Sequence, residues 1–291
     1  MQLKAELLSA VERLTEANVP SPRMNAELLL MFTLGCERAY LYAHPERDLT
    51  SDETARYNTV LSERSRGVPA QYITGHQEFW GMDLIVTPAV LIPRPETEHV
   101  VETVLELVHV KRAGSEEYSP PATLFRIVDV GTGSGSIALA LAKELPQAEI
   151  HATDISLAAL EIARTNAARH QLESRIHFHQ GDLLAGFHDN SFDLVVSNPP
   201  YVGKSEEDQV QLEVRKFEPR NAVFAGHSGT EIIARLIPQS RAALRVGGWL
   251  VMEISGTIVE GTRSLLNGWE DIRIVKDLQG VPRVVAARKK T

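Results

Sequence analysis

At Ser197-Asn198-Pro199-Pro200-Tyr201 the chain presents an amide side chain with little freedom around it. The preceding residues, Phe192-Asp193-Leu194-Val195-Val196, are a short apolar run that predicts a buried strand. Two consecutive prolines cannot extend a central strand, because neither donates a backbone N–H and both fix φ. The strand must therefore stop at about Ser197. Asn198 stands at its end on a stiff backbone, with an aromatic ring close behind at Tyr201. An amide offers an acceptor oxygen and a donor nitrogen, so this strand end can hold a polar planar group.

A second cluster lies upstream. Ile127-Val128-Asp129-Val130-Gly131-Thr132-Gly133-Ser134-Gly135-Ser136-Ile137 reads as strand, glycine turn and helix. Glycine permits sharp dihedrals and close approach of a ligand to the backbone. A dinucleotide fingerprint would need glycine where Ser136 stands, and a P-loop lysine is absent. The turn thus suits a ligand that crosses it without a pyrophosphate. Asp154 ends the next apolar run, where a carboxylate can accept from both hydroxyls of a ribose. Asp182 follows a third run, a position that suits an adenine amino group, with Leu183 as an apolar wall. An isolated Asp after a strand is commonly a cap or turn residue. Four such features at the ends of four consecutive strands form a pattern, because ligands bind at the carboxyl ends of strands in open α/β sheets.

The elements that must carry these residues follow from periodicity. Strands are expected at 125–130, 149–153, 175–179 and 192–196, with helices at 137–143 and 157–170 between them. A helix over 231–244, a strand over 249–254 and a helix over 259–266 continue the alternation, which predicts a doubly wound, mostly parallel sheet. Closing strands at 271–275 and 283–287 have too short a link for a helical crossover and must pair antiparallel. Before residue 70 there are only helical signals, at 3–18, 24–34, 38–43 and from Thr50 to near Gly67. Ser21-Pro22 reads as an N-cap with proline at the first helical position, and Thr50 with Glu53 as a capping box. Phe79-Trp80 and Leu84-Ile85-Val86 about Gly81 predict a hairpin. Leu91 to Glu98 is stiff and extended, with Pro95-Glu96 opening a helix to about Val110, and 113–123 is expected to be a surface loop. The division is then 1–70 helical bundle, 71–95 hairpin and linker, and 96–291 α/β domain.

Composition bounds the partners. The 291 residues are 43% hydrophobic and 23% charged, ordinary for a globular protein. The net charge of −8 argues against a broad nucleic-acid footprint. No run suits a membrane span, the first residues lack a signal-peptide pattern, and the single Cys36 fits a reducing cytoplasm. His177 and His179 share a strand face and His188 follows, but no cysteine or paired carboxylate completes a set, so no metal is expected. Glu206-Glu207-Asp208 reads as a solvated loop, with a substrate-facing lid as the alternative, and Arg215, Lys216 and Arg220 near Phe217-Glu218-Pro219 read equally as surface charge or as contacts to a protein substrate.

The region 124–291 resembles class I S-adenosylmethionine-dependent methyltransferases. Its Asn-Pro-Pro-Tyr resembles the signature of enzymes that methylate a planar exocyclic or amide nitrogen. Leu-Ile-Pro-Arg-Pro-Glu-Thr-Glu (91–98), Phe217-Glu218-Pro219, Asp277-Leu-Gln-Gly-Val-Pro-Arg283 and the helical start make the whole chain similar to the HemK/PrmC family. That resemblance implies a Rossmann-like, seven-stranded, mostly parallel sheet with an antiparallel last strand, plus a small helical bundle that docks the substrate. It implies transfer of a methyl group to the side-chain N5 of the glutamine in the Gly-Gly-Gln loop of class I peptide-chain release factors. The cofactor would be S-adenosylmethionine, held by Asp129, Gly131, Thr132, Gly133, Ser134, Gly135, Asp154, Asp182, Leu183 and Asn198. Asn198, Pro199, Pro200 and Tyr201 would bind the acceptor and carry catalysis. The Asn198 oxygen and the Pro199 carbonyl would accept the two amide protons, the prolines would keep both rigid, and Tyr201 would stack on the amide. A cytoplasmic monomer without a stable nucleic-acid partner is expected. The alternative is a nucleic-acid base N-methyltransferase acting on DNA adenine or ribosomal RNA guanine, with the base flipped out or single-stranded. A cofactor-binding scaffold without turnover is a third reading, disfavoured by the intact 198–201 stretch.

Overall fold

The computed structural model describes residues 2–113 and 125–290. The loop expected over 113–123 lies, from 114 onward, outside the described residues. The chain forms two compact units, Met1–His76 with Gln211–Phe217, and Gln77–Val210 with Glu218–Thr291.

The first unit is helical. It contains α1 (Leu3–Glu16), α2 (Pro22–Leu34), α3 (Arg38–Ala43), α4 (Ser51–Ser65) and α5 (Ala70–Thr74). Leu3, Leu14, Leu29, Leu30, Tyr57 and Leu61 form its core. The capping box at α4 is complete: Glu53 N–H donates to Thr50 Oγ1 at 3.2 Å and Thr50 N–H to Glu53 Oε2 at 2.9 Å. Ser21 departs from expectation. It has φ +48° and its side chain caps nothing; instead Asn25 Nδ2 donates back to the carbonyls of Pro20 and Ser21. Pro22 still occupies the first turn, and Gly35 closes α2 in the left-handed region with φ +62°.

The second unit begins with the hairpin β1 (His76–Phe79) and β2 (Met82–Ile85), followed by α6 (Glu98–Ala113). Then come β3 (Arg126–Val130), α7 (Ser136–Glu144), β4 (Glu149–Asp154), α8 (Leu157–Arg169), β5 (Ile176–Gln180) and β6 (Phe192–Ser197). After a two-residue strand β7 (Val202–Gly203) the chain forms α9 (Leu212–Phe217), which belongs to the first unit, then α10 (Arg220–Val223) and β8 (Phe224–Gly226). It finishes with α11 (Glu231–Ala243), β9 (Leu244–Glu253), α12 (Val259–Leu265), β10 (Glu270–Lys276) and β11 (Pro282–Arg288).

Seven strands form one sheet in the order β10-β11-β9-β6-β3-β4-β5. The pairs β3–β4, β4–β5, β3–β6 and β6–β9 are parallel, and β11 runs antiparallel to both β9 and β10. This is the class I methyltransferase-type sheet expected above. Its inner strands β3, β4, β6 and β9 are buried on both faces, with alternate residues going to opposite layers, whereas the edge strands β5 and β10 are largely uncovered. Ile127, Leu194 and Val251 pack with α6 to α8, while Val128, Val195 and Leu250 pack with α11 and α12. The chain runs outward from β3 to β5, then returns to β6 on the other side of β3. That reversal opens a crevice at the carboxyl ends of β3 and β6, the place where open α/β sheets bind ligands.

The structure departs from the sequence reading between 202 and 226. The solvated loop expected at Glu206-Glu207-Asp208 is a 3-10 helix over Lys204–Gln209, and Glu207 pairs with Arg220 at 2.8 Å. β9 also starts five residues earlier than expected, at Leu244 rather than 249. Within it glycine is required at 248, where a Cβ would lie 3.0 Å from Asp193 O. Among the described residues no helix is long and apolar enough to cross a membrane.

Candidate active site

The glycine turn is shaped from below. Gly131 and Thr132 donate their N–H groups to Thr153 O on β4, at 2.8 and 3.0 Å, and Gly135 donates to Thr132 O at 2.8 Å. Gly131 and Gly133 have φ +71° and +55°, and a Cβ on either would meet no atom within 4 Å. Both therefore keep open space that a side chain would fill. Gly135 is the opposite case. At φ +85°, a Cβ would lie 2.6 Å from Leu139 Cδ1 and 3.2 Å from Ala163 Cβ. Gly135→Ala is expected to cost about 2–4 kcal/mol, from the left-handed backbone and overpacking of buried Leu139. Urea unfolding checks this, and an unchanged midpoint would refute it.

Asn166 on α8, fully buried, braces the turn from the side. Its Nδ2 donates to Ser134 O at 2.9 Å and to Ile85 O at 3.0 Å, and its Oδ1 accepts from Ile85 N–H at 2.7 Å. Asp154 joins the turn to the next helix: Oδ2 accepts from Gly133 N–H and Oδ1 from Ser156 N–H, both at 2.9 Å.

Asp129 sits beneath the turn. Its Oδ2 accepts from Thr132 Oγ1 at 2.6 Å and Ala138 N–H at 3.2 Å, while Oδ1 has no partner. Burial pushes its carboxyl up to about 7, against the two hydrogen bonds. A carboxyl raised in the folded state favours the proton there, so stability declines as pH rises from 3.8 through about 7. Asp129→Asn is expected to flatten that slope in ligand-free protein and to raise the melting temperature relative to wild type at pH 8. Melting curves from pH 4 to 8 with equal slopes for both proteins would refute it.

The glycine turn and Asp154 border a cavity of roughly 260 Å3. Of the residues singled out from sequence, Gly131, Thr132, Gly133, Ser134, Asp154, Asp182, Leu183, Asn198 and Pro200 line it, whereas Asp129, Gly135, Pro199 and Tyr201 do not. Further wall comes from Leu91, Pro93, Thr97, Ile155, Pro219 and Arg235, among others. Arg235 pairs with the half-exposed Asp182. On the far wall Glu218 accepts from Ile92 N–H at 3.2 Å and pairs with Arg94, so two distant segments are joined.

Ser197 Oγ donates to Val130 O at 2.7 Å, holding the end of β6 against the end of β3. Asn198 then meets a network that sequence reasoning missed. Its Nδ2 donates to Thr97 Oγ1 at 3.0 Å, and Thr97 Oγ1 donates to Glu253 Oε2 at 2.6 Å. Tyr201 OH donates to Glu253 Oε1 at 3.0 Å. Burial pushes the Glu253 carboxyl and the Tyr201 phenol upward. Asn198 Oδ1 is left without a protein partner among the described residues. Tyr201 thus anchors the network through its hydroxyl. No group of three or more His, Cys, Asp or Glu residues that could hold a metal occurs among the described residues.

Residues 7–75 match the family described as PrmC N-terminal domain, and residues 119–216 the methyltransferase small domain. A release factor glutamine methyltransferase of Koribacter versatilis (strain Ellin345) is 51% identical over 292 residues, covering 100% of both chains. The chain belongs to the release factor glutamine methyltransferase family. A second member, from Rhodopirellula baltica, is 39% identical over 273 residues, with 92% of this chain and 90% of the relative covered. In structure, the chain resembles the hMettl16 catalytic domain solved with MAT2A 3'UTR hairpin 6. The TM-score is 0.57 at 17% identity, over 82% of each chain, a likeness of fold.

Proposed function

We propose that this protein transfers a methyl group from S-adenosylmethionine to the side-chain amide nitrogen of the glutamine in the Gly-Gly-Gln loop of class I release factors. The orientation of Asn198 carries this reading: its nitrogen is engaged by Thr97, so its oxygen remains to receive an N–H.

The cavity residues fit the cofactor. Gly131 and Gly133 leave room for a ligand against the backbone, and Asp129 keeps an unpartnered buried oxygen below the turn. Asp154 would accept the ribose hydroxyls. Asp182 would take the adenine amino group while sharing its charge with Arg235, and Leu183 would cover the ring. When bound, the cofactor would supply an electrophilic sulfonium methyl group and leave as a neutral thioether.

The chain's own residues have to orient and polarise a poor nucleophile. An amide lone pair is conjugated with its carbonyl, which in peptides gives a rotational barrier of roughly 18–20 kcal/mol. Asn198 Oδ1 would accept one amide proton and the Pro199 carbonyl the other. The nitrogen would then pyramidalise with its lone pair free to attack, and after alkylation it would release one proton to water. Pro199 and Pro200 keep the acceptors rigid, and Tyr201 secures Glu253 from behind through its hydroxyl.

In this reading residues 1–70 dock the protein substrate, 71–95 link, and 96–291 carry the chemistry. The enzyme acts as a cytoplasmic monomer and holds no nucleic acid stably. Radiolabelled S-adenosylmethionine is incubated separately with a release factor, with the same factor lacking its loop glutamine, and with nucleic acid. Label is expected on the unaltered release factor alone. Label on nucleic acid alone would overturn the reading.

A further inference from the structure

An asparagine is useful as an acceptor only if its amide faces the right way. Turned by half a revolution about its last torsion, Asn198 would present an NH2 group to the cavity, and a substrate amide would meet a donor where it needs an acceptor. The side chain alone has no preference that would settle the matter, since its two ends are nearly the same size. The polarity must come from what lies behind it.

Behind it is the hydrogen-bonded chain Asn198–Thr97–Glu253–Tyr201. Burial raises the Glu253 carboxyl, and in its ionised form it only accepts. Thr97 Oγ1, 2.6 Å from Glu253 Oε2, therefore spends its single proton on that oxygen. What Thr97 has left to offer Asn198 at 3.0 Å is a lone pair, and only the NH2 end of the amide can meet it. Tyr201 occupies the other carboxylate oxygen at 3.0 Å. With both Glu253 oxygens receiving protons, the chain has one consistent direction, and it ends with Asn198 Oδ1 toward the cavity.

We infer that Glu253 and Thr97 are positioning residues that fix the amide orientation of Asn198 and so make the site an acceptor for N–H groups. The inference rests on the function proposed above and adds a pair of residues that do not take part in the transfer themselves. Glu253 lies at the end of β9 and is 2% exposed, so its charge has no solvent-facing role. The groups bearing on it are Thr97, Tyr201, Glu96, which opposes its charge, and Arg283, which favours it; Arg94 bears on Tyr201. Protonated Glu253 would donate to Thr97 or Tyr201 and release the constraint. The acid limb of kcat therefore lies above the ordinary carboxylate range.

The test uses the full-length enzyme with a release factor as substrate. Thr97→Val removes the relay hydroxyl at nearly constant shape, and Thr97→Ser restores it. Thr97→Val is expected to lower kcat about 10²-fold, the loss typical of a misplaced reacting group. Its affinity for S-adenosylmethionine, measured by calorimetry, stays at the wild-type value, and Thr97→Ser recovers turnover. Glu253→Gln, which can donate as well as accept, is expected to lower kcat and abolish the acid limb. If Glu253→Gln does not fold, the two Thr97 variants decide. Equal kcat for Thr97→Val and wild type, or a loss of cofactor affinity that accounts for the loss of rate, overturns the inference. A wild-type enzyme that leaves the release factor unlabelled overturns the proposed function instead.

Discussion

Asn198→Ala is expected to slow methyl transfer by about 10²–10³-fold, the range seen when one preorganised hydrogen-bonding group is removed from a reacting centre. Cofactor affinity should change only a few-fold. Asn198 lines the cavity next to the turn, but its one hydrogen bond runs backward to Thr97. Its free oxygen is thus available for the acceptor. Orientation can account for about 7–11 kcal/mol of such a barrier at the most, and Asn198 shares that task with the Pro199 carbonyl. Single-turnover kinetics with saturating cofactor isolates the effect. Asn198→Asp is a sharper probe. It keeps an oxygen toward the substrate but loses the NH2 that Thr97 requires, and it adds charge near buried Glu253. Its rate should fall between those of wild type and Asn198→Ala. An alanine variant at wild-type rate would remove Asn198 from the mechanism.

Asp154→Ala is expected to act on binding instead, raising the dissociation constant for S-adenosylmethionine by at least about 10²-fold. A hydrogen bond to a charged group contributes about 1.5–3 kcal/mol, and two ribose hydroxyls would share this carboxylate. The same substitution frees the N–H groups of Gly133 and Ser156, which Asp154 now holds at 2.9 Å. The turn therefore loosens as its ligand contact is lost. Asp154→Asn retains one acceptor and should be intermediate. Calorimetry that gave the alanine variant a wild-type constant would exclude Asp154 from the cofactor site.

The sequence and the structure agree best where a signal is local. The glycine turn, the carboxylates at the ends of β4 and β5 and the prolines that stop β6 each declare themselves within a few residues. The nearly continuous apolar runs of β3, β6 and the second half of β9 made the sheet legible. Glu253 and Thr97 were not legible as a pair: Thr97 lies in the conspicuous 91–98 segment, but its contact with Glu253 spans 156 residues and nothing local marks Glu253. Asn166 looked like any polar residue in a helix, although it joins two segments of the second unit. Short elements such as α10 and β8 offer three or four residues, too few for a period to emerge. Ser21 carried a capping signal that the backbone overrode, since a left-handed residue cannot place its hydroxyl over the first turn.

The two halves of the site are assembled from the chain in different ways. The turn, Asp154, Asp182 and Leu183 lie within residues 129–183, on three consecutive strands and their loops. The opposite half draws on 97, 198, 201 and 253, scattered over more than half of the polypeptide. The first half can pass between related proteins as one uninterrupted block. The second cannot, because a new acceptor at position 198 would require matched changes in two other segments. Redirecting the acceptor half would thus call for concerted changes at 97, 198 and 253, whereas the donor half would be left untouched.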